Sequence, residues 1–255
     1  MRNFVCQGLA TCSCRSKTHH IMTRFLTTLL FTLVAAFVAA STPFTPWRAG
    51  TVVSAKAVEA YGLSRCFTAA PIPDAVFARM KGRSYPEGCS VRRSDLRYLR
   101  LLHKDLQGHI RLGEMVCNKA IAADVLDIFR QLYLHGYPIE SVRLIDDFGA
   151  SDEQSMRANN TSAFCYRVVK GSRRLSPHAR GMAVDLNTLY NPCYRRSRSG
   201  RVTIQPATAA RYVDRSAHFP CKITPSDLAY RLFKAHGFRW GGAWKSVKDW
   251  QHFEK

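Results

Sequence analysis

One aspartate constrains the fold more than any other residue. Asp185 lies in the apolar segment AVDLN (183–187), which has the character of a buried strand. A carboxylate in such a strand is costly to bury unless it is paired or binds a metal ion. His178 precedes it in a loop-like segment, SPHARGM, and Asp249 and His252 lie far downstream in KDWQHFEK. We therefore expect the strand and the C-terminal segment to meet in the fold.

These residue types suit a metal ion. Two histidines and one carboxylate are a common ligand set of catalytic zinc, which keeps a fourth position open for water. His178, Asp185 and His252 would supply that set if the loop folds over the strand and the third ligand comes from a neighbouring strand. The spacing by itself also fits a surface histidine and an aspartate at the edge of the core.

The first 40 residues have the layout of a secretory leader. From Met22 the chain reads MTRFLTTLLFTLVAAFVAAST, a basic residue followed by an apolar run and small residues, as in a signal peptide. The apolar run, residues 25–40, is short for a membrane span. We expect export to the periplasm or cell envelope, whereas an uncleaved leader would anchor the chain in the membrane. Residues 1–21 fit this layout poorly, which favours Met22 as the start.

The charge balance limits the partners. The formal net charge is +20, and the leader contributes four basic residues and no acid, so the rest of the chain has a charge of +16. Outside the cytoplasm such a charge attracts an anionic cell-wall polymer or a phospholipid surface. The sequence contains no zinc-finger or RNA-binding signature, so we do not expect nucleic-acid binding.

Six of the nine cysteines follow the leader. An even number in an exported protein predicts disulfide bonds, although six cysteines allow fifteen pairings. Cys193 and Cys221 flank the same loop-rich insertion and are the first pair we would expect, the alternative being that some cysteines are buried free thiols. No C-x-x-C pair follows the leader, so a structural zinc site made of cysteines is not expected.

The hydrophobic pattern predicts an α+β fold, a single domain in which a small antiparallel sheet bears the candidate site and is flanked by helices. After a linker or loose wrap at residues 41–78, predicted helices cover residues 95–106 (capped by Ser94), 119–136 and 226–237. Predicted strands cover residues 109–118, 141–148, 163–169, 183–187, 238–242 and 251–255. Residues 149–162 are predicted to be a polar loop, and residues 188–225 a basic, loop-rich insertion.

Two segments bear a resemblance to a known family. SPHARGMAVDLN and GGAWKSVKDWQHFEK resemble the two halves of the zinc-binding signature, S-x-H-x6-D and D/E-x-x-H, of the VanY and VanX type of zinc D-alanyl-D-alanine carboxypeptidases and peptidoglycan L,D-endopeptidases. Upstream segments such as MKGRSYPEGC and SMRANNTSAFCYR look like the exported branch of that family, and the resemblance spans residues 80–254. The family often has Asn-Cys before the arginine that corresponds to Arg167, where this chain has Cys165 and Tyr166.

The resemblance implies roles for five residues. It implies that His178, Asp185 and His252 bind Zn²⁺, that Asp249 is the general base, and that Arg167 is the cation beside the scissile carbonyl. Residues 79–255 would form the zinc peptidase domain, which cuts a bond in peptidoglycan stem peptides. It leaves open whether the cut is made by a carboxypeptidase or an endopeptidase.

Other interpretations stay open at this point. Asp249 could pair with Lys245 or Lys248, and Arg167 could be an ordinary surface arginine. Ser176 could hold the loop or the substrate, and the tryptophans near the C-terminus could line the site or belong to the core. The chain could also be a non-catalytic zinc-containing module for wall binding or signalling, or a basic adhesion protein in which the metal ligands are a coincidence.

Overall fold

The structure is a computed structural model that describes residues 44–169 and 174–255. The predicted leader, its apolar run and the alternative start at Met22 lie outside the described residues. Within the two described ranges, no helix is both long and apolar enough to span a membrane.

The largest sheet has four strands, β1 (Val52–Val53), β2 (Thr68–Ala70), β3 (Leu96–Lys104) and β4 (Ile110–Asn118). They are antiparallel and lie in the order β1–β4–β3–β2. The strand predicted at 109–118 is confirmed. The helix predicted at 95–106 is wrong, because this segment is β3.

The error has a physical reason. The leucines of β3 recur at helical spacing, but β3 is one of the two inner strands of the sheet. It is buried on both faces, since Leu99 joins one apolar cluster and Leu96 the other. A strand buried on both faces shows no two-residue alternation. Strand pairing decides the structure of this segment, since all nine residues of β3 pair with β4. The two strands are joined by a turn in which the Asp105 carboxylate accepts hydrogen bonds from the backbone N–H groups of Gln107 and His109.

Five α-helices lie in the described residues. The longest, α3 (Ala122–Leu134), confirms the prediction for residues 119–136 and buries Val125, Ile128, Phe129 and Leu132 in the larger apolar cluster. The segment predicted to be a linker or wrap contains regular structure, and the predicted polar loop contains a short helix capped by Ser151. The other helices are α1 (Ala55–Tyr61), α2 (Asp74–Met80), α4 (Asp152–Arg157) and α5 (Leu228–Ala235).

Smaller sheets form the C-terminal half. Their strands are β5 (Ser141–Val142), β6 (Asn160–Thr161), β7 (Ala183–Asp185), β8 (Cys193–Arg196), β9 (Val202–Gln205), β10 (Arg239–Trp240), β11 (Val247–Asp249) and β12 (His252–Glu254). One sheet has the order β10–β12–β7, another β11–β8–β9, and β5 pairs with β6 in parallel. The strands predicted at 183–187, 238–242 and 251–255 and the helix predicted at 226–237 are confirmed.

Three sequence predictions need correction here. The strand predicted at 141–148 ends at Val142 and continues as the 3-10 helix Ile145–Phe148. Residues 163–169 are irregular apart from an isolated bridge between Val168 and Leu175. The insertion at 188–225 contains the hairpin of β8 and β9 and a 3-10 helix in addition to loops.

All six cysteines after the leader are free thiols, so the predicted disulfides, including Cys193 to Cys221, are wrong for this structure. Burial raises the pKa of several of these thiols, that of Cys221 to about 12. The mixed architecture of helices and small antiparallel sheets confirms the predicted fold class, and it is compatible with a single domain.

Candidate metal centre and active site

The pairing of β7 with β12 brings two of the predicted ligands together. In this antiparallel pair His252 lies directly opposite Asp185, and Phe253 lies opposite Val184. Because successive side chains of a strand point to opposite faces, Phe253 and Val184 enter the core, where both are fully buried. His252 and Asp185 therefore share the other face, and side chains of such opposed residues are close neighbours.

His178 reaches the same place from a short turn. It begins the 3-10 helix His178–Arg180, which follows Pro177 and ends at Gly181. Its Nδ1 lies 2.7 Å from the carbonyl oxygen of Ala163, and a carbonyl can only accept, so Nδ1 is the donor. This bond leaves Nε2 of His178 facing Asp185 and His252. Ser176 holds the turn, since its hydroxyl accepts a hydrogen bond from the backbone of Ala179.

Gly181 fixes the end of this turn. Its φ of +67° is in the left-handed region, and a Cβ at this position would lie 2.7 Å from the backbone nitrogen of Asn118. We expect Gly181→Ala to lower the free energy of unfolding by about 1–2 kcal/mol for the positive φ and by about 1–3 kcal/mol more for the contact.

Gly200→Ala is the matched control, because Gly200 also has a positive φ but would meet no atom within 4 Å. Denaturant unfolding of both variants and the wild type measures the difference. If both variants lose the same free energy of unfolding, the close contact of residue 181 with Asn118 of β4 does not require a glycine.

The three ligand atoms form a nearly equilateral triangle. His178 Nε2 lies 3.2 Å from Asp185 Oδ1 and 3.1 Å from His252 Nδ1, and His252 Nδ1 lies 3.0 Å from Asp185 Oδ1. Three corners of a tetrahedron around zinc, with bonds of about 2.0–2.1 Å, are about 3.3 Å apart. The donor types and their spacing both fit a zinc ion, and these residues form the group that could hold a metal among the described residues.

Glu254 completes the environment of His252. The two residues lie on the same face of β12, and Glu254 Oε2 is 3.2 Å from His252 Nε2. Arg239 on β10 holds this carboxylate through a 2.6 Å ion pair. Burial alone would lower the pKa of His252, but its hydrogen bonds with Asp185 and Glu254 outweigh burial and raise it to about 10. His252 is therefore protonated on both nitrogens at neutral pH when no metal is bound.

This protonation predicts a proton-coupled metal site. His252 must lose the proton on Nδ1 before that atom can bind zinc, so zinc binding at pH 8 should release at least one proton. The apparent affinity should fall as the pH is lowered. Calorimetric titration with zinc in two buffers of different ionisation enthalpy counts the protons, and binding without any release would contradict the protonated state of His252.

Asp249 is the carboxylate next to the ligands. It ends β11, opposite Cys193 of β8, and the turn at Trp250 and Gln251 separates it from His252. Its Oδ1 is buried and has no hydrogen-bond partner. Burial is the main cause and the negative charge of Asp185 the second, and together they raise the pKa of Asp249 to about 6. A buried carboxylate oxygen without a donor is suited to accept a proton.

The competing interpretation of Asp249 does not hold in the described structure. No ion pair joins it to Lys245 or Lys248, and the Lys248 ammonium group donates to the carbonyl oxygen of Gly242. Arg167 is about one-third exposed and forms an ion pair with Asp152 of α4. It is more than a surface arginine, because it borders the same cavity as the candidate ligands.

That cavity, which we call the site cavity, has a volume of about 470 Å³ and is lined by all five predicted residues: Arg167, His178, Asp185, Asp249 and His252. Trp244 also lines it, with its ring centre 5.3 Å from that of His252. Trp240 and Trp250 are buried in the apolar core instead. Of the three tryptophans near the C-terminus, Trp244 therefore lines the site, whereas Trp240 and Trp250 belong to the core.

Sequence reasoning missed two carboxylates that contact the candidate site residues, Glu254 and Asp152. Glu254 could have been found, because it is two residues after His252 in a predicted strand and must lie on the same face. Asp152 gave no such signal, since its segment was predicted to be a loop. It reaches Arg167 only because residues 152–157 form a helix beside the site cavity.

Comparison with known proteins agrees with this geometry. Residues 170–255 match a family model described as D-alanyl-D-alanine carboxypeptidase. The match covers about one-third of the chain and includes His178, Asp185, Asp249 and His252, but not Arg167. It supports a metallopeptidase of this general kind. No curated protein and no solved structure matches the chain.

Proposed function

We propose that this chain is an exported zinc peptidase that hydrolyses a peptide bond in peptidoglycan stem peptides. One observation carries the proposal: three ligand atoms spaced for zinc and the unpartnered oxygen of Asp249 lie at one cavity, in the segment that matches the carboxypeptidase family. Residues 79–255 are the proposed peptidase domain.

The residues divide the chemistry between binding and proton transfer. His178, Asp185 and His252 would hold the zinc ion, which when bound polarises a peptide carbonyl and lowers the pKa of a water molecule towards neutrality. Asp249 would accept the proton of the attacking water at its free Oδ1 and return it to the nitrogen of the leaving amine.

Arg167 would stabilise the negative charge that develops on the carbonyl oxygen. A fixed cation at the edge of a partly closed cavity is effective for this purpose, because it needs little reorganisation during the reaction. Its ion pair with Asp152 holds the guanidinium in place. The hydrogen bonds of His178 with Ala163 and of His252 with Glu254 orient the two imidazole rings, as partners behind metal ligands commonly do.

The proposed location follows from the leader and the charge. A chain with a charge of +16 after its leader would concentrate at an anionic cell wall or membrane surface. The stem peptides that it would cut are found in that compartment, so the charge and the proposed substrate point to the same place.

Digestion of purified peptidoglycan tests the proposal. The zinc-loaded protein is incubated with the polymer and the soluble products are weighed by mass spectrometry. Release of D-alanine would identify a carboxypeptidase, and release of larger stem fragments an endopeptidase. Protein treated with a chelator should release neither, and added zinc should restore release. A zinc-loaded protein that liberates no fragment from any stem peptide would refute the proposal.

A further inference from the structure

The site cavity has two arginines, and they differ in their partners. Arg167 is held by Asp152. Arg195, on β8, also lines the cavity, but it is exposed and forms no ion pair with any described residue. Arg195 is therefore the arginine of the described lining whose charge is not neutralised by an ion pair.

The strand explains why Arg195 faces the site. Side chains alternate along β8, and both Cys193 and Arg195 line the site cavity. On β11, Asp249 lies opposite Cys193, and Val247 lies opposite Arg195. Arg195 is two residues from Cys193, so it lies about 7 Å along the strand from the residue that faces the proposed base. β8 is the central strand between β11 and β9, which holds this backbone position firmly.

The next residue is a natural control. Arg196 is one position further along β8, so its side chain leaves from the opposite face. It is exposed like Arg195, its Nε donates to the hydroxyl of Tyr194, and it is absent from the cavity lining. The two arginines share the same hairpin and the same charge, and they differ in the face of the strand.

Four of the five carboxylates that line the cavity have other partners. Asp152 pairs with Arg167, Glu153 with Arg157 and Glu254 with Arg239, and Asp185 contacts the two candidate histidines. The fifth, Asp249, has a buried Oδ1 and forms no ion pair with Arg195. The charge of Arg195 is thus not neutralised by a carboxylate of the described cavity. A guanidinium group binds a carboxylate through parallel charge-assisted hydrogen bonds.

We propose that Arg195 binds a carboxylate of the substrate and makes the site selective for acidic peptides. This inference rests on the proposed function, because it assigns the substrate group that the same cavity would recognise. The carboxylate could be the free C-terminus of the peptide or the side chain of an acidic residue within it. The chemistry is the same for both, and the test below separates them.

The test measures binding without turnover. Zinc-loaded Asp249→Asn protein serves as the background, into which Arg195→Gln or Arg196→Gln is introduced. The probes are a synthetic stem peptide ending in D-alanyl-D-alanine, its C-terminal amide, and a version with its glutamate replaced by glutamine. Calorimetry gives the Kd of each pair.

We expect Arg195→Gln to raise the Kd of the unmodified peptide about 10- to 100-fold, the usual range for one charge-assisted contact, and Arg196→Gln to leave it unchanged. The peptide that lacks the recognised carboxylate should bind weakly to the background protein and lose nothing further with Arg195→Gln. The amide would show this pattern if the C-terminus is recognised, and the glutamine peptide if the side chain is.

Equal affinities of the two arginine variants would overturn the inference, as would a loss with Arg195→Gln that is the same for all three peptides, or no binding of any peptide. The outcome is separate from that of the proposed function. If wild type cuts none of these peptides but binding still depends on Arg195 and a carboxylate, peptidase function fails and the carboxylate site stands. If wild type cleaves the unmodified peptide and Arg195→Gln leaves the KM unchanged, the peptidase function stands and the carboxylate site fails.

Discussion

Asp249→Asn should retain zinc and lose turnover. The amide nearly matches the carboxylate in size, and the three ligands His178, Asp185 and His252 remain, so the zinc content should stay close to that of the wild type. The variant cannot accept a proton, however, and general acid–base help is typically worth about 10²- to 10⁴-fold in rate. We expect kcat to fall by that order. Zinc analysis and fragment release from peptidoglycan, measured on the same preparations, check both halves.

Asp214→Asn is the control, since it makes the same chemical change at an exposed position outside the site cavity and should leave both quantities unchanged. Full activity of Asp249→Asn would exclude the residue as the base. Loss of its zinc would make Asp249 a ligand. The rate of the wild type should also fall in acid, because Asp249 must be ionised to act and the two histidines must be neutral to hold zinc.

The second large effect is expected from His178→Ala. Removing one of three protein ligands leaves a histidine and a carboxylate, which is one ligand short of the usual catalytic set. We expect the variant to lose its zinc on dialysis against a mild chelator that the wild type withstands, and its peptidase activity to fall to background. Elemental analysis and the digestion assay measure these two losses.

His218→Ala is the matched control, because His218 is exposed and is absent from the site cavity. Circular dichroism should show that both variants are folded. His252→Ala gives a second test of the same site from a different strand. If the His178 and His252 variants both kept stoichiometric zinc, the assignment of these ligands would be wrong.

The structure brings the candidate site residues to one cavity, as the sequence predicted, whereas several elements around them differ from the prediction. Asp185 in an apolar strand required partners, and only a few residues of the right type were available near a second strand. The charge of Asp185 and the apolar residues on either side of it can be read from a single sequence. The pairing of His252 opposite Asp185 and the face on which Glu254 lies then follow from strand geometry.

The segment of β3 shows why other predictions failed. Its leucines fit a helix as well as a strand buried on both faces, and only the nine-residue ladder with β4 decides between them. The disulfide prediction failed for a related reason, since counting cysteines says nothing about where their side chains lie in space. Arg195 and Asp152 likewise could be assigned to the site cavity only from the structure, because the folding of distant segments brings them to it.

The ladder between β7 and β12 joins residues that are far apart in the chain, since His252 follows Asp185 by 67 positions. A chain that crosses a membrane from its N-terminus would deliver His178 and Asp185 first and His252 and Asp249 much later. Until the later segment arrives, neither the third ligand nor the base is present. If the proposed peptidase is exported in this way, it would be inactive during its secretion and become active only when the last strand docks, on the side of the membrane where its proposed substrate lies.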